Sequence, residues 1–484
     1  MPFESVLITI RRRVWISSLL ATAVLACVPR VSAAQGCLSG TLGDEFTADR
    51  LGFVREWIIQ IPSMAPGSTL EHVTSGDGLV VAVTSDGAVH AIQAASAPGG
   101  ATQPGSPLPG SLLWSRTISR AGGRLERVGI GSDLVAVSQD KDVYGLERAT
   151  GVTRWRESEK NLAATGPAVI GSWVYSPNGG GMTRFAARPL QSAAAAEKAA
   201  ASSTRSAGSA AQSAKSAAKK GKARKQREES LLPSDIDPGG DVAYQPVPFG
   251  DGVLWCTTAG LLVTLQPTEA GWQRLEFSLD NPPAGPPTVR NRSIFAATTN
   301  GDLARIDIPK KLTKRSQLEL GWHAVLEGPA ASAAFVAGDA VVVSLGDLGI
   351  AAFSAETGSR LWQTCFTGTL LSAGGGRLWL IDGVGRLSSL DLGDGMRRET
   401  LCLGPFSLPL VNNQDDRLLL ASPSGMLVSL APRRAAEAEP PADVDADVRP
   451  DATRKAESAA DPPPAEDPTE EAADDMTDDE DANR

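Results

Sequence analysis

The sequence predicts an all-β chain closed into an eight-bladed β-propeller, with seven blades as the alternative. Three observations predict it. Eight segments recur in which an apolar run, a tight turn and a second alternating run follow one another. The turns fall at intervals of about 40 residues once two low-complexity loops are set aside, and that period with several short strands per unit belongs to propeller blades. Tryptophans recur downstream of the hairpins at a matching place in the unit.

The hairpins come in order. "LVVAVTSDGAVHAI" turns at Asp86-Gly87, and "LVAVSQDKDVYGL" turns at Lys141-Asp142. The next six turn at Gly181, Gly260, Gly301, Gly349, Gly385 and Gly425. Together with Gly87 these supply the positive φ that short hairpin turns demand. Successive turns lie 55, 39, 79, 41, 48, 36 and 40 residues apart. The first long interval holds the Pro/Gly loop "ASAPGGATQPGSPLPGS", and the second holds an Ala/Ser/Lys-rich segment, residues 189–229. The third unit runs into that segment and loses its ending, which is why seven blades stay open.

Trp114, Trp155, Trp322 and Trp362 follow their hairpins, on what would be each blade's outermost strand, and Trp272 sits in the same region of its unit. A tryptophan there buries its apolar face against the neighbouring blade. The last hairpin ends at Leu430 with no such strand after it. "FVREWIIQIP" carries Trp57 and has no hairpin of its own. The N-terminal strand is therefore expected to complete the last blade, which removes two sheet edges.

"RATGVTRW" (Arg148–Trp155) and "AETGSRLW" (Ala355–Trp362) resemble the TG-x-x-x-W docking motif of the pyrroloquinoline-quinone (PQQ)-like repeat family. The resemblance spans residues 51–434, the predicted propeller, outside the basic insert. In "GDGMRRET" Glu399 takes the tryptophan's place. The family includes quinoprotein dehydrogenases, and the resemblance implies for those a quinone in the central funnel, a calcium site and a carboxylate base, often with two adjacent cysteines. No Cys-Cys pair and no CxxCH motif stands in this sequence. His72, His90 and His323 fall in three different units, and carboxylates such as Asp86, Asp140 and Asp347 lie in separate turns. We therefore expect no catalytic residue, no metal and no cofactor. The function expected is a protein-interaction scaffold similar to the family's non-catalytic branch, that of the outer-membrane assembly lipoprotein BamB. The alternatives are a PQQ-dependent dehydrogenase and a solute- or polysaccharide-binding propeller.

Outside the repeats, composition changes sharply. Residues 1–33 are expected to be an export signal: Arg11-Arg12-Arg13, then the apolar run Val14–Ala26, then Val31-Ser32-Ala33 before a cleavage site. "VLAC" offers Cys27 as a lipidation site in a rival reading, and the arginines also suit a twin-arginine route. Cleavage at Ala33 leaves four cysteines, an even number that an oxidising compartment can pair. Residues 189–229 carry nine Lys/Arg against three Asp/Glu, and residues 435–484 carry 18 acidic residues against four basic. The net charge of −10 is thus a property of the tail. Both segments lack apolar stripes and are expected to be disordered. The expected partners are envelope proteins, with anionic envelope polymers on the basic insert and no specific nucleic acid. Membrane association is expected only through lipidation or an uncleaved signal, and the chain is expected to be a monomer.

Overall fold

A computed structural model describes residues 48–49, 51–62, 64–94, 107–118, 125–187, 234–269, 271–313 and 315–433. The expectations for residues 1–33 with Cys27, for 189–229 and for 435–484 lie outside them. Among the described residues, 32 strands pair into eight antiparallel sheets of four. The chain has eight blades, so the seven-bladed alternative falls.

Blade 1 consists of Leu70–Gly76, Leu79–Thr84, Ala88–Gln93 and Leu112–Thr117, hydrogen-bonded in that order. Blades 2 to 7 repeat the plan over 129–158, 168–236, 247–278, 288–325, 335–364 and 369–402. First strands of neighbouring blades touch one another, between blades 2 and 3, 3 and 4, 5 and 6, and 6 and 7. They therefore line the ring's axis, and the fourth strands lie outermost. Second strands such as Leu79–Thr84 and Ala340–Ser344 are buried at every residue, not at alternate ones. A blade in mid-ring is covered on both faces, so its central strands read as continuous apolar runs.

The eight sequence hairpins are the second and third strands of the eight blades. Their turns share one end of the ring. Gly87, Gly260, Gly301, Gly349, Gly385 and Gly425 all have positive φ there. Gly181 does not. It begins the third strand of blade 3, paired with Asn178, and the positive φ falls on Gly180. The third unit is also a complete blade: its outer strand, Ser234–Ile236, comes from beyond the insert.

Blade 8 takes Leu408–Pro409, Leu418–Ala421 and Met426–Pro432 from the chain's later part and Phe53–Gln60 from its beginning. The register runs from Phe53 opposite Pro432 to Gln60 opposite Met426, with a bulge between Arg55 and Trp57. Glu56, the bulged residue, accepts from Arg417 Nε and Nη2 at 2.7 and 3.0 Å and from Ser429 Oγ at 3.0 Å. The ring is closed by a strand clasped at its bulge.

Of the cysteines, Cys256 and Cys365 are free. Burial pushes the Cys256 thiol up to about 12. Cys402 is disulfide-bonded. The four cysteines left by cleavage at Ala33 would therefore not all pair.

Candidate functional site

The tryptophans and glycines of the repeat meet between blades. Trp57 Nε1 donates to Ala94 O of blade 1 at 2.7 Å, and Trp114 Nε1 donates to Arg148 O of blade 2, also at 2.7 Å. Trp155 reaches Ala187 O (3.2 Å), Trp322 reaches Ala355 O (3.1 Å) and Trp362 reaches Leu392 O (2.8 Å). Each acceptor lies just past the third strand of the next blade. For all but Trp155 the ring plane then rests on a glycine of that blade, in the turn before its outer strand. A Cβ on Gly110 would stand 2.5 Å from Trp57, one on Gly151 2.5 Å from Trp114, and one on Gly358 2.6 Å from Trp322. One on Gly395 would collide with Trp362. The two halves of TG-x-x-x-W thus serve different joints: the glycine seats the preceding blade's tryptophan, and the tryptophan reaches the following blade.

A one-residue bulge precedes each of these five tryptophans, at Glu56, Leu113, Arg154, Gly321 and Leu361. A bulge re-aims the side chain that follows it. Blade 4 has no bulge in its outer strand, and Trp272 does not reach blade 5. It pairs opposite Pro267, is 41 % exposed, and lies 5.7 Å from the Arg184 guanidinium of blade 3. Leu275 fills the joint instead, in one apolar cluster with Ile294 and Ile306 of blade 5. Blade 7 keeps the bulge, at Arg398, and places Glu399 in the tryptophan position.

The channel along the axis holds a cavity of about 300 Å³. Glu71, His72, Arg127 and Gln245 give it polar wall, and Leu408–Val411 with Leu419 give it apolar wall. Gln245 Nε2 donates to Pro167 O at 2.6 Å and to Val128 O at 3.2 Å, tying the inner strands of blades 2, 3 and 4 together. The histidines do not converge. His72 and His90 belong to one blade, not to different units, but to its first and third strands. His90 is fully buried, its Nδ1 2.9 Å from Ser115 Oγ, and burial lowers its pKa so that the ring stays neutral. His323 pairs with Asp302 at 3.0 Å on blade 5. Asp86, Asp140 and Asp347 stand in the turns of blades 1, 2 and 6. Asp86 is held by the Thr84 hydroxyl, which lowers its pKa. Among the described residues, no three metal-ligating side chains of the His, Cys, Asp and Glu types group together.

The turn end of the ring is uneven. Most hairpin tips are small or polar, such as Ser85-Asp86, Asp140-Lys141, Gly179-Gly180 and Thr299-Asn300. Blades 6 and 7, which are neighbours, carry Leu348 and Val384 there, 50 % and 77 % exposed. In the sequence these tips read "GDLG" and "DGVG", where the glycines define the turns and the apolar residue between them carries no signal of its own. Glu159, a buried carboxylate, likewise carries no signal in the sequence.

The description "Outer membrane protein assembly factor BamB" belongs to a family model that matches residues 228–364 and 311–405, from the end of blade 3 to the end of blade 7. No curated protein matches the chain. Among solved structures, BamB from Moraxella catarrhalis superposes with a TM-score of 0.52 at 15 % identity, over 78 % of this chain and 98 % of that one. The computationally designed Ika8 protein superposes with a TM-score of 0.50 at 11 % identity, over 75 % of this chain and 96 % of that one. The designed protein carries a likeness of fold alone. The matched repeats, the tryptophan–glycine joints and the closing strand lead to one conclusion: the chain is an eight-bladed β-propeller whose residues 228–405 are similar to the PQQ-like, BamB-like family.

Proposed function

We propose that this chain is a non-catalytic protein-interaction scaffold of the cell envelope, and that it holds its partner on the turn end of blades 6 and 7. The observation that carries the site is the pair of apolar tips, Leu348 and Val384. An exposed apolar side chain at a hairpin tip contributes nothing to packing its own blade, and neighbouring ones mark contact surfaces. Charged pairs rim them. Asp382 holds Arg386 at 2.8 Å beside Val384, and Glu327 is paired with Arg360 at the joint of blades 5 and 6. An apolar centre with a polar rim is the ordinary anatomy of a protein–protein contact. Both tips fall inside the residues matched by the outer-membrane assembly factor family. That family's name, with the export-signal pattern of residues 1–33, supports the envelope and a role in outer-membrane protein assembly. The test is recovery of partners from envelope extracts on the tagged full chain. Wild type should retain an envelope protein. Leu348→Asp with Val384→Asp should lose it while keeping the wild-type melting temperature. Recovery of polysaccharide instead, or equal recovery by the variant, would overturn the reading.

A further inference from the structure

The turn end of the ring is stitched the same way in several blades. The residue just past the outer strand donates its backbone N–H to the hairpin turn: Ile118 to Gly87 O (3.0 Å), Leu279 to Gly260 O (2.9 Å), Leu326 to Gly301 O (2.7 Å) and Ile61 to Gly425 O (2.9 Å). All four are apolar, and Leu279, Leu326 and Ile61 are buried in the core. In blade 2 the bond is made by Glu159, to Lys141 O at 2.7 Å. Its side chain is therefore carried to a place where those four blades put Leu or Ile. Glu159 is 7 % exposed.

The opposing wall has changed with it. At the joint of blades 4 and 5, Leu279 packs in one cluster with Ala296 and Ala304, a cross-strand pair of blade 5. The corresponding pair in blade 3, on the second and third strands beside the turn, is Ser176 with Thr183. Both are buried, as is Asn178. A dry contact of one leucine and two alanines has become a carboxylate, two hydroxyls and an amide.

These groups do not satisfy one another. Both carboxylate oxygens of Glu159 and the hydroxyl of Ser176 are buried without a hydrogen-bond partner. Asn178 Nδ2 donates to Thr183 Oγ1 at 3.0 Å, and Thr183 Oγ1 donates onward to Asp235 Oδ1 at 3.5 Å. The Asn178 amide and the Thr183 hydroxyl thus donate away from the carboxylate. Burial raises the Glu159 pKa to about 7; the Ser176, Asn178 and Thr183 side chains lower it, and the charge of Asp235 raises it. A buried carboxylate with no donor is costly unless it is neutralised or paired. Asn178, Thr183 and Asp235 also line a cavity of about 520 Å³ with Lys160 and Gly180. Lys160 holds Asp235 Oδ2 at 2.9 Å on its exposed side.

We propose that the joint of blades 2 and 3 binds one hard divalent cation of the calcium type, through the carboxylates of Glu159 and Asp235 and the side-chain oxygens of Ser176, Asn178 and Thr183. Calcium accepts carboxylate, amide, hydroxyl and water oxygens in flexible geometry, so two carboxylates with neutral oxygens suffice. The ion would neutralise Glu159 and fasten blade 3, whose outer strand has only three residues.

The test is calorimetric titration of the chelator-treated full chain with calcium chloride, beside Glu159→Leu and Glu159→Gln. Wild type should bind one ion saturably, over the weak uptake expected of the acidic residues 435–484. Glu159→Leu should lose that ion and keep the weak uptake. The variant places in blade 2 the residue that blades 4 and 5 carry, and Glu159→Gln serves should it misfold. Asp235→Asn should weaken binding about tenfold. Calcium should raise the melting temperature of wild type and leave that of Glu159→Leu unchanged. Superimposable isotherms for wild type and Glu159→Leu would overturn the proposal. So would a stability that responds to pH through Glu159 but not to calcium, which would mark an ordinary buried acid.

Discussion

Trp362 reaches out of blade 6 to donate to Leu392 O, and its ring rests on Gly395, whose φ is 69°. The glycine is required twice, by the backbone and by the ring above it. Trp362→Ala should destabilise the protein by about 3–5 kcal/mol, the range for large aromatic truncations in cores. Gly395→Ala should also destabilise it, by about 1–3 kcal/mol from the positive φ and the collision. The two losses should not add, because removing the ring removes half of the alanine's cost; urea titration of both single variants and the double variant measures the coupling. Strictly additive losses would show that the glycine does not seat the ring. Glu159 yields a second expectation at this scale. Its carboxyl titrates at about 7 in the folded chain and near the ordinary glutamate value when unfolded. The folded state therefore holds the extra proton in that window, and stability is full below it and falls as pH rises through about 7. Without divalent cations the loss should be on the order of 3 kcal/mol. Melting curves between pH 5 and pH 8 (roughly the window over which a raised carboxyl titrates) should show it for wild type and not for Glu159→Leu.

Phe53–Gln60 is the element on which the ring's closure depends, because its pairing with Met426–Pro432 is the strand ladder that joins the beginning of the fold to its end. Its bulge turns Glu56 toward Arg417 and Ser429, and turns Trp57 into blade 1. The Glu56 and Arg417 side chains are 24 % and 26 % exposed, so the pair is partly shielded from solvent. Arg417 has its pKa raised, chiefly by the hydrogen bond to Glu56. Glu56→Ala should cost about 2 kcal/mol, since hydrogen bonds to charged groups are worth more than neutral ones. Deleting residues up to 60 should do more: it exposes the edge of Met426–Pro432 and should replace one cooperative unfolding transition with two, read by differential scanning calorimetry. A truncated chain that still melts in one transition at the wild-type temperature would remove the clasp from this account.

At the scale of the molecule, the parts legible in the sequence were those enforced at every repeat. The turn glycines recur because a three-residue hairpin loop ends on a residue at positive φ, and the tryptophan of Phe53–Gln60 pointed to closure because no other strand was left to complete the last blade. What stayed hidden depends on contacts between units. Trp272 looks like its counterparts until the missing bulge of blade 4 is seen. Glu159 looks like a surface acid until its backbone bond places it in a column of leucines and isoleucines. The channel belongs to this second kind, since its wall draws on blades far apart in the chain. It joins Glu71, His72, Arg127 and Gln245 to an apolar side at Leu408–Val411. A quinone cofactor needs a cation, a carboxylate base and flat stacking surfaces converging on one funnel. Here the five tryptophans that reach the next blade donate their indole N–H groups into the joints and are sandwiched there. Calcium at Glu159 would sit beside the outer strands, not on the axis. We therefore expect no retention of PQQ when the full chain is incubated with the quinone and calcium and passed over a desalting column, with bound quinone read by its own absorbance. Dye-linked oxidation of alcohols and sugars should stay at background in the same mixture. Retention of one quinone per chain that Arg127→Ala abolishes would place a cofactor in the channel and replace the scaffold reading with a quinoprotein one.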